Sequence, residues 1–276
     1  MGGPSNIDPK TVEGFGEEWS AFDQLALDED EHRELFEGYF ALFPFEELAN
    51  AEGFDLGCGS GRWAVLVAPR VGKLHCIDPS AKALDVTRRR LASLDNVAFH
   101  CAGVDEMPIA DGSQDFGYSL GVLHHIPDTQ AAMDACVRKL KVGAPFLVYL
   151  YYSFDNRPAW FRALWTASEL FRYPISRLPF PARVRVTNTI AATVYLPLAR
   201  TARLLERRGW SVSSFPLSSY RNSSLYSMRT DALDRFGTRL EQRFSKAQIA
   251  EMMTKAGLKD IAFGEWGHWV ACGRKA

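Results

Sequence analysis

Three glycines carry the first chemical signal in this 276-residue chain. Gly57, Gly59 and Gly61 stand in the run Phe54-Asp55-Leu56-Gly57-Cys58-Gly59-Ser60-Gly61-Arg62-Trp63, directly after a short apolar stretch. Glycines so spaced turn the chain sharply and let backbone amides approach a ligand where a Cβ would collide. The spacing is GxGxG, so the third glycine of the dinucleotide pattern falls on Arg62. No Lys-Ser/Thr pair follows the loop, which argues against a nucleoside triphosphate grip. Asp78 ends the next apolar run, 17 residues beyond Gly61. A carboxylate there accepts hydrogen bonds from both hydroxyls of a ribose. Loop and acid together describe a nucleoside site; a bare glycine turn is the plainer alternative.

A second set could move a proton or hold a substrate. His124 and His125 follow Gly121-Val122-Leu123, and an imidazole is the side chain best suited to accept a proton near neutral pH. Packing or loop hydrogen bonding is the competing role for both. Further on comes Tyr151-Tyr152-Ser153-Phe154-Asp155-Asn156-Arg157-Pro158, where Tyr151, Tyr152, Asn156 and Arg157 are candidates to line an acceptor pocket. The five cysteines have no CxxC spacing and sit mostly in apolar stretches. They are expected to be buried reduced thiols of a cytosolic protein, with no metal site.

These residues need elements to position them. Gly53–Leu56 predicts a strand, residues 62–71 a helix, Lys73–Ile77 a strand closed by Asp78, and Ser80–Leu94 a helix capped by Ser80. Val97–Cys101 and Phe116–Leu120 are expected strands, Asp128–Leu140 a helix, and Ala144–Tyr151 a central strand. This alternation implies a parallel sheet with helices on both faces and right-handed crossovers. It stops at residue 151, resumes at the capping-box sequence Ser245-Lys-Ala-Gln248, and ends in strands at Leu258–Phe263 and His268–Gly273. Before it, residues 1–30 read as loose and then acidic, and Glu31–Phe43 as an amphipathic helix. The expected organisation is an acidic arm with a lid helix (1–52), a core (53–150), an inserted helical cap (151–240) and a closing piece of the core (241–276).

The ordered motifs resemble the class I S-adenosylmethionine-dependent methyltransferases, in particular the small-molecule group that includes enzymes of the ubiquinone and menaquinone pathways. The resemblance covers about residues 50–150 and 245–273. It rests on DLGCGSGRW, CIDPS, MPIADGSQDFGYSLGVLHHIPD and LKVGAPFLVYLY in that order. It implies an α/β fold, a Rossmann-like seven-stranded, mostly parallel sheet with an antiparallel last strand, plus the α-helical cap. It also implies that Gly57, Gly59 and Gly61 pass around the methionine part of the cofactor, with Asp55 near its amino group. Asp78 would hold the ribose, Pro79 or Ser80 would lie beside the adenine, and Leu120 near the sulfonium. Where the family often has an adenine-binding Asp, this chain has Gly103, which leaves the Val104 backbone and Asp105 as substitutes. Phe15-Gly16-Glu17-Glu18-Trp19 is similar to arms that close over the cofactor in some relatives, with Trp19 as a lid residue against the plainer role of a hydrophobic anchor.

Composition narrows the partners. With 47% hydrophobic and 24% charged residues the chain is ordinary globular protein, so long disorder and collagen-like repeats are excluded. The net charge of −1 hides opposed blocks: −12 over residues 1–53, 0 over 54–150, +9 over 151–240 and +2 over 241–276. The cap holds 14 Arg and no Lys, which suggests bidentate pairing. Its arginines are read in three ways: closure against the acidic arm, an anion site using Arg157, Arg221 and Arg229, or a lipid-facing lid bearing Trp160, Phe161, Leu164, Trp165, Leu170 and Phe171. Closure is favoured, because helical apolar faces are more often core. A nucleic-acid partner is disfavoured by the acidic arm. The longest uncharged run, Val186–Ala199, is 14 residues, short of a membrane span. The first residues carry no secretory pattern and lack Ser or Thr at position 6 for myristoylation; an exposed start is expected. The expected protein is therefore a cytoplasmic methyltransferase. It would use S-adenosylmethionine, release S-adenosylhomocysteine, and methylate a small, anionic or sugar-like acceptor. Attack on the aminopropyl chain, cyclisation, or a non-catalytic cofactor-sensing subunit are the alternatives.

Overall fold

Apolar runs broken by glycine turns produce the sheet, and its register follows from which side chains fit face to face. The computed structural model describes residues 6–24, 26–264 and 269–276. In chain order the elements are α1 (Pro9–Ala21), α2 (Glu29–Tyr39), β1 (Glu52–Leu56), α3 (Ala64–Val67), β2 (Lys73–Asp78), α4 (Ala81–Arg90), β3 (Val97–Cys101), β4 (Phe116–Leu120), α5 (Thr129–Lys139), β5 (Pro145–Tyr149), α6 (Ala159–Ile175), α7 (Phe180–Ile190), α8 (Leu196–Arg207), α9 (Leu225–Gly237), α10 (Lys246–Lys255), β6 (Leu258–Phe263) and β7 (Val270–Lys275). The sheet has seven strands in the order β3-β2-β1-β4-β5-β7-β6. Its first five are parallel, and β7 runs antiparallel between β5 and β6. The order reverses beside β1, so the carboxyl ends of β1 and β4 flank a crevice of the kind where open α/β sheets bind ligands.

Two apolar layers sandwich the sheet, one built on Phe54, Ile77, Phe146 and Val148, the other on Leu74, Phe116, Tyr118 and Leu147. Chemistry at the element ends matches the sequence signals. Ser80 caps α4, Asp128 caps α5, and Ser245 with Gln248 forms a complete capping box on α10. All five cysteines are free thiols, and only Cys101 is exposed.

Several expectations need correcting. Residues 1–30 are not loose throughout: α1 forms because Asp8 caps it and Pro9 fills its first position. The next helix is shifted, Glu29–Tyr39 rather than Glu31–Phe43, because Phe40, Phe43 and Phe45 leave the helical path to pack edge-on and tilted against one another. The helix expected over 62–71 shortens to α3 and a single tight turn, because Pro69 has no N–H to continue it. The helix expected over Ser80–Leu94 stops at Arg90, and the strand expected over Ala144–Tyr151 is confined to Pro145–Tyr149. Of the last strand, β7 starts at Val270 and runs on to Lys275; His268 lies outside the described residues. Met1–Ser5 lie outside them too.

The chain divides into two units. The first comprises residues 1–24, 34–153 and 240–276 and contains the sheet. The second comprises residues 25–33 and 154–239. Inside the second, Ala191, Tyr195, Ala199, Met228, Ala232 and Phe236 form a core of their own. The α7–α8 junction there is a π-helical turn, Ala191–Tyr195. Glu31 accepts from the amide of Ser224 within this unit. No helix among the described residues is long and apolar enough to cross a membrane.

Candidate functional site

The glycine loop leaves β1 with all three glycines left-handed, at φ of +77°, +54° and +72°. Gly57 and Gly59 show why a side chain is excluded. A Cβ at Gly57 would stand 2.4 Å from Val122, and one at Gly59 would stand 2.9 Å from the indole nitrogen of Trp19. The loop is tied to β2 by the Gly57 amide on the Ile77 carbonyl at 2.7 Å, and by the Gly59 amide on Asp78 Oδ2 at 3.0 Å. Asp78 Oδ1 accepts from the Ser80 amide at 2.8 Å. One strand-end carboxylate thus joins the loop to the start of α4. Burial pushes its pKa up to about 6, with the Ser80 and Gly59 amides opposing the rise.

Asp55 is more deeply set. Burial raises its carboxyl to about 8, a contact with Tyr118 partly offsets this, and the nearby Asp78 adds to it. Its Oδ2 is buried and meets no hydrogen-bond donor among the described residues. An acid in that state is completed by a cation that brings its own donors. Such a carboxyl suits an ammonium group, and Asp78, with lone pairs still available on both oxygens, suits a ribose. These residues fit the cofactor that the sequence implies.

Gly103, where the familiar acid is missing, has Ile7 packed on it: a Cβ would come 2.4 Å from Ile7 Cδ1. An apolar side chain from the arm takes the space of the absent carboxylate. Val104 is buried, whereas Asp105 is exposed and accepts from the Asn6 amide at 2.7 Å. Pro79 follows Asp78 and precedes the cap residue Ser80, and Leu120 closes β4 as a buried side chain.

Helix α1 connects the loop to the histidine pair. Gly16 lets it sit against Ser80, where a Cβ would stand 2.5 Å from the hydroxyl. Trp19 lies on Gly59, and Phe15, one turn earlier, meets His125 edge-on at 4.9 Å between ring centroids. The sequence singled out Trp19 from this helix but not Phe15.

The two histidines are chemically distinct. His124 is fully buried, stacked at 3.8 Å on Tyr151, and its Nδ1 accepts from the Tyr151 amide at 3.4 Å. Burial holds its pKa well below the ordinary value, and His125 and Arg243 push the same way. An accepting Nδ1 puts the proton of this neutral ring on Nε2, which makes His124 a donor. His125 is the reverse: its Nδ1 lies 2.6 Å from the Leu240 carbonyl, which can only accept. That bond fixes the proton on Nδ1 and makes Nε2 the lone-pair nitrogen.

Tyr151 is brought to this cluster and Tyr152 is not. The Tyr152 ring packs on Trp269, and its backbone bridges to Phe244. Three residues that the sequence reading missed complete the arrangement. Gln242 donates its amide to the His124 carbonyl at 3.0 Å, and its side chain to the Ile126 carbonyl at 2.8 Å. Arg243 lies over Tyr151 at 5.0 Å, bonds the Tyr152 carbonyl, and pairs with the buried Glu241 at 2.8 Å. Tyr39, against Trp63 and Tyr149, extends the aromatic wall. No local pattern marks Arg243, because it lies about 90 residues beyond the tyrosine it covers.

The remaining acceptor candidates lie in the second unit, each with its own partners. Asn156 is exposed. Arg157 bonds the Ser213 carbonyl and lies over Phe161. Arg221 pairs with Glu206 at 2.8 Å, and Arg229 bonds Asn188 at 2.9 Å.

Comparison with known proteins agrees with the loop geometry. Residues 54–148 match the family described as a methyltransferase domain. A ubiquinone biosynthesis O-methyltransferase of Alkalilimnicola ehrlichii is 35% identical over 101 residues, which is 35% of this chain and 41% of that protein. A demethylmenaquinone methyltransferase of Staphylococcus aureus is 31% identical over 96 residues, 33% of this chain and 39% of that protein. The chain thus spans about two fifths of these relatives. Among solved structures, a protein of Thermotoga maritima described as a SAM-dependent methyltransferase, possible histamine N-methyltransferase, aligns with a TM-score of 0.53. It is 15% identical, and the alignment covers 96% of this chain and all of that one. This likeness concerns the fold. The sequence similarity is confined to the segment that holds the glycine loop and Asp78.

Proposed function

We propose that this protein transfers the methyl group of S-adenosylmethionine to a small-molecule acceptor. The observation that carries the reading is the Gly59 amide on Asp78, which links the glycine loop to the strand-end acid inside the matched segment. When bound, the cofactor supplies an electrophilic methyl carbon for in-line displacement. Gly57, Gly59 and Gly61 would wrap its methionine part, and Asp55 would hold the ammonium. Asp78 would hold the ribose, with Pro79, Val104 and Asp105 toward the adenine and Leu120 toward the sulfonium. Trp19, lying on Gly59, would close over it and exclude water.

On the acceptor side, His125 is the better proton acceptor, because its Nε2 carries the lone pair. His124, a donor at Nε2, would orient the acceptor beside Tyr151, and Tyr152 would act through the backbone it shares with Phe244. Arg221 and Arg229 are engaged by Glu206 and Asn188. Arg157, bonded to a neutral carbonyl, is therefore the arginine we assign to an anionic acceptor, with Asn156 beside it. The ubiquinone and menaquinone names of the relatives favour a small aromatic or quinone-like acceptor of this kind.

Calorimetry tests the reading. Asp78→Ala should weaken S-adenosylmethionine and S-adenosylhomocysteine at least about tenfold, the loss of roughly one charge-assisted hydrogen bond. Unchanged affinity would remove the ribose assignment. In a labelled-methyl assay, S-adenosylhomocysteine as product separates methyl transfer from aminopropyl chemistry, which leaves methylthioadenosine. His125→Asn should lower kcat more than His124→Asn if the tautomer assignment holds.

A further inference from the structure

We propose that the outward face of α6 docks the second unit onto an anionic lipid surface. The helix carries apolar residues on both of its sides. Its inward face carries Phe161, Trp165, Ser168, Glu169, Arg172 and Ile175, with Ile175 packed against the unit's own core. There Arg235 bonds both Ser168 and Glu169, Arg172 bonds Glu169 at 2.7 Å and the Thr238 carbonyl at 2.8 Å, and Arg235 lies over Trp165. An ion-pair network joins α6 to α9 alongside the apolar packing of Ile175.

A second apolar stripe points the other way. Trp160, Leu164, Leu170 and Phe171 are 53%, 55%, 77% and 66% exposed. At 100° per residue these four lie on one side of the helix, and the positions between them, Ala163, Ala167 and Pro174, are exposed and apolar as well. A surface this apolar and continuous marks an interaction site. The Ile190–Leu198 stretch does not share it, since Ala191 and Tyr195 are buried in the unit's own core.

Charge selects the occupant. The second unit holds 15 Arg against 9 carboxylates, a net charge of +6, with no lysine. Arg162, Arg177, Arg185, Arg207 and Arg208 are exposed, and Trp210 beside Arg208 is 66% exposed. A second copy would set one positive unit against another. A bilayer containing anionic lipid presents the opposite sign to the arginines and an acyl boundary to the aromatic stripe, the pattern of interfacial helices. This inference does not depend on the reading of the glycine loop.

The experiment is co-sedimentation of the full chain with vesicles of phosphatidylcholine, with and without phosphatidylglycerol. The wild type should pellet with the mixed vesicles and partition at least about tenfold less onto pure phosphatidylcholine. Trp160→Ser/Leu164→Ser/Phe171→Ser, which leaves charge unchanged and alters only exposed side chains, should lose that partition while keeping its circular dichroism spectrum and its affinity for S-adenosylhomocysteine. Failure of the wild type to bind the mixed vesicles would overturn the proposal, as would equal binding by the triple variant. A wild-type dimer in light scattering that the triple variant converts to monomer, without vesicle binding by either, would assign the face to a second copy instead.

Discussion

The carboxyl of Asp55 ties the stability of the fold to pH. In the unfolded chain an Asp titrates near 3.8, and in this fold burial raises it to about 8. Between those values the folded state holds a proton that the unfolded state has released. Stability therefore falls as pH rises, with a slope approaching about 1.4 kcal/mol per pH unit. The contribution is fully favourable below pH 4 and exhausted above pH 8. Urea denaturation of cofactor-free protein from pH 5 to 8 should show that decline, and Asp55→Asn should flatten it; parallel curves for the two proteins would contradict the assignment. The sequence placed Asp55 at the site through its motif, but its protonation was not legible. That depends on Tyr118 and Asp78, which come from other strands. The same holds for the histidines, whose difference rests on Leu240, more than a hundred residues away.

Elements were legible where a local signal closed them and less so where packing decided. The caps at Ser80, Asp128 and Ser245 were readable, because each needs only its own three following residues. Helix α1 was missed: its acidic residues suggested solvent, while its purpose is to set Phe15 on His125 and Trp19 on Gly59. This contact gives a test of the loop. Gly59→Ala must hold alanine at φ +54° and push Trp19 aside, and should cost about 1–2 kcal/mol for the backbone alone. In a double-mutant cycle, Trp19→Ala should recover the steric part of the loss and not the backbone part. Strict additivity would mean that α1 does not rest on the loop in solution.

At the scale of the whole molecule, the charge blocks were visible in the sequence but their use was not. From the sequence, the arginines of residues 151–240 read chiefly as partners of the acidic arm. Inside their own unit several of them join one segment to another: Arg235 on Glu169, Arg172 on the Thr238 carbonyl, Arg183 on the Gly237 carbonyl, Arg221 on Glu206. Composition records sign and number, whereas pairing depends on geometry that only the fold supplies. Where the chain leaves the first unit and returns, Ser153 donates to Phe244, Phe244 donates to Tyr151, and Tyr152 bridges to Phe244. Exit and entry are therefore stitched side by side. A flexible linker of about eight residues in place of 154–239 should span the gap. The shortened protein should fold and bind S-adenosylhomocysteine by calorimetry; insolubility or loss of binding would show that the insertion is integral to the sheet. A socket with adjoining terminals accepts inserts of other lengths and folds without re-registering a strand.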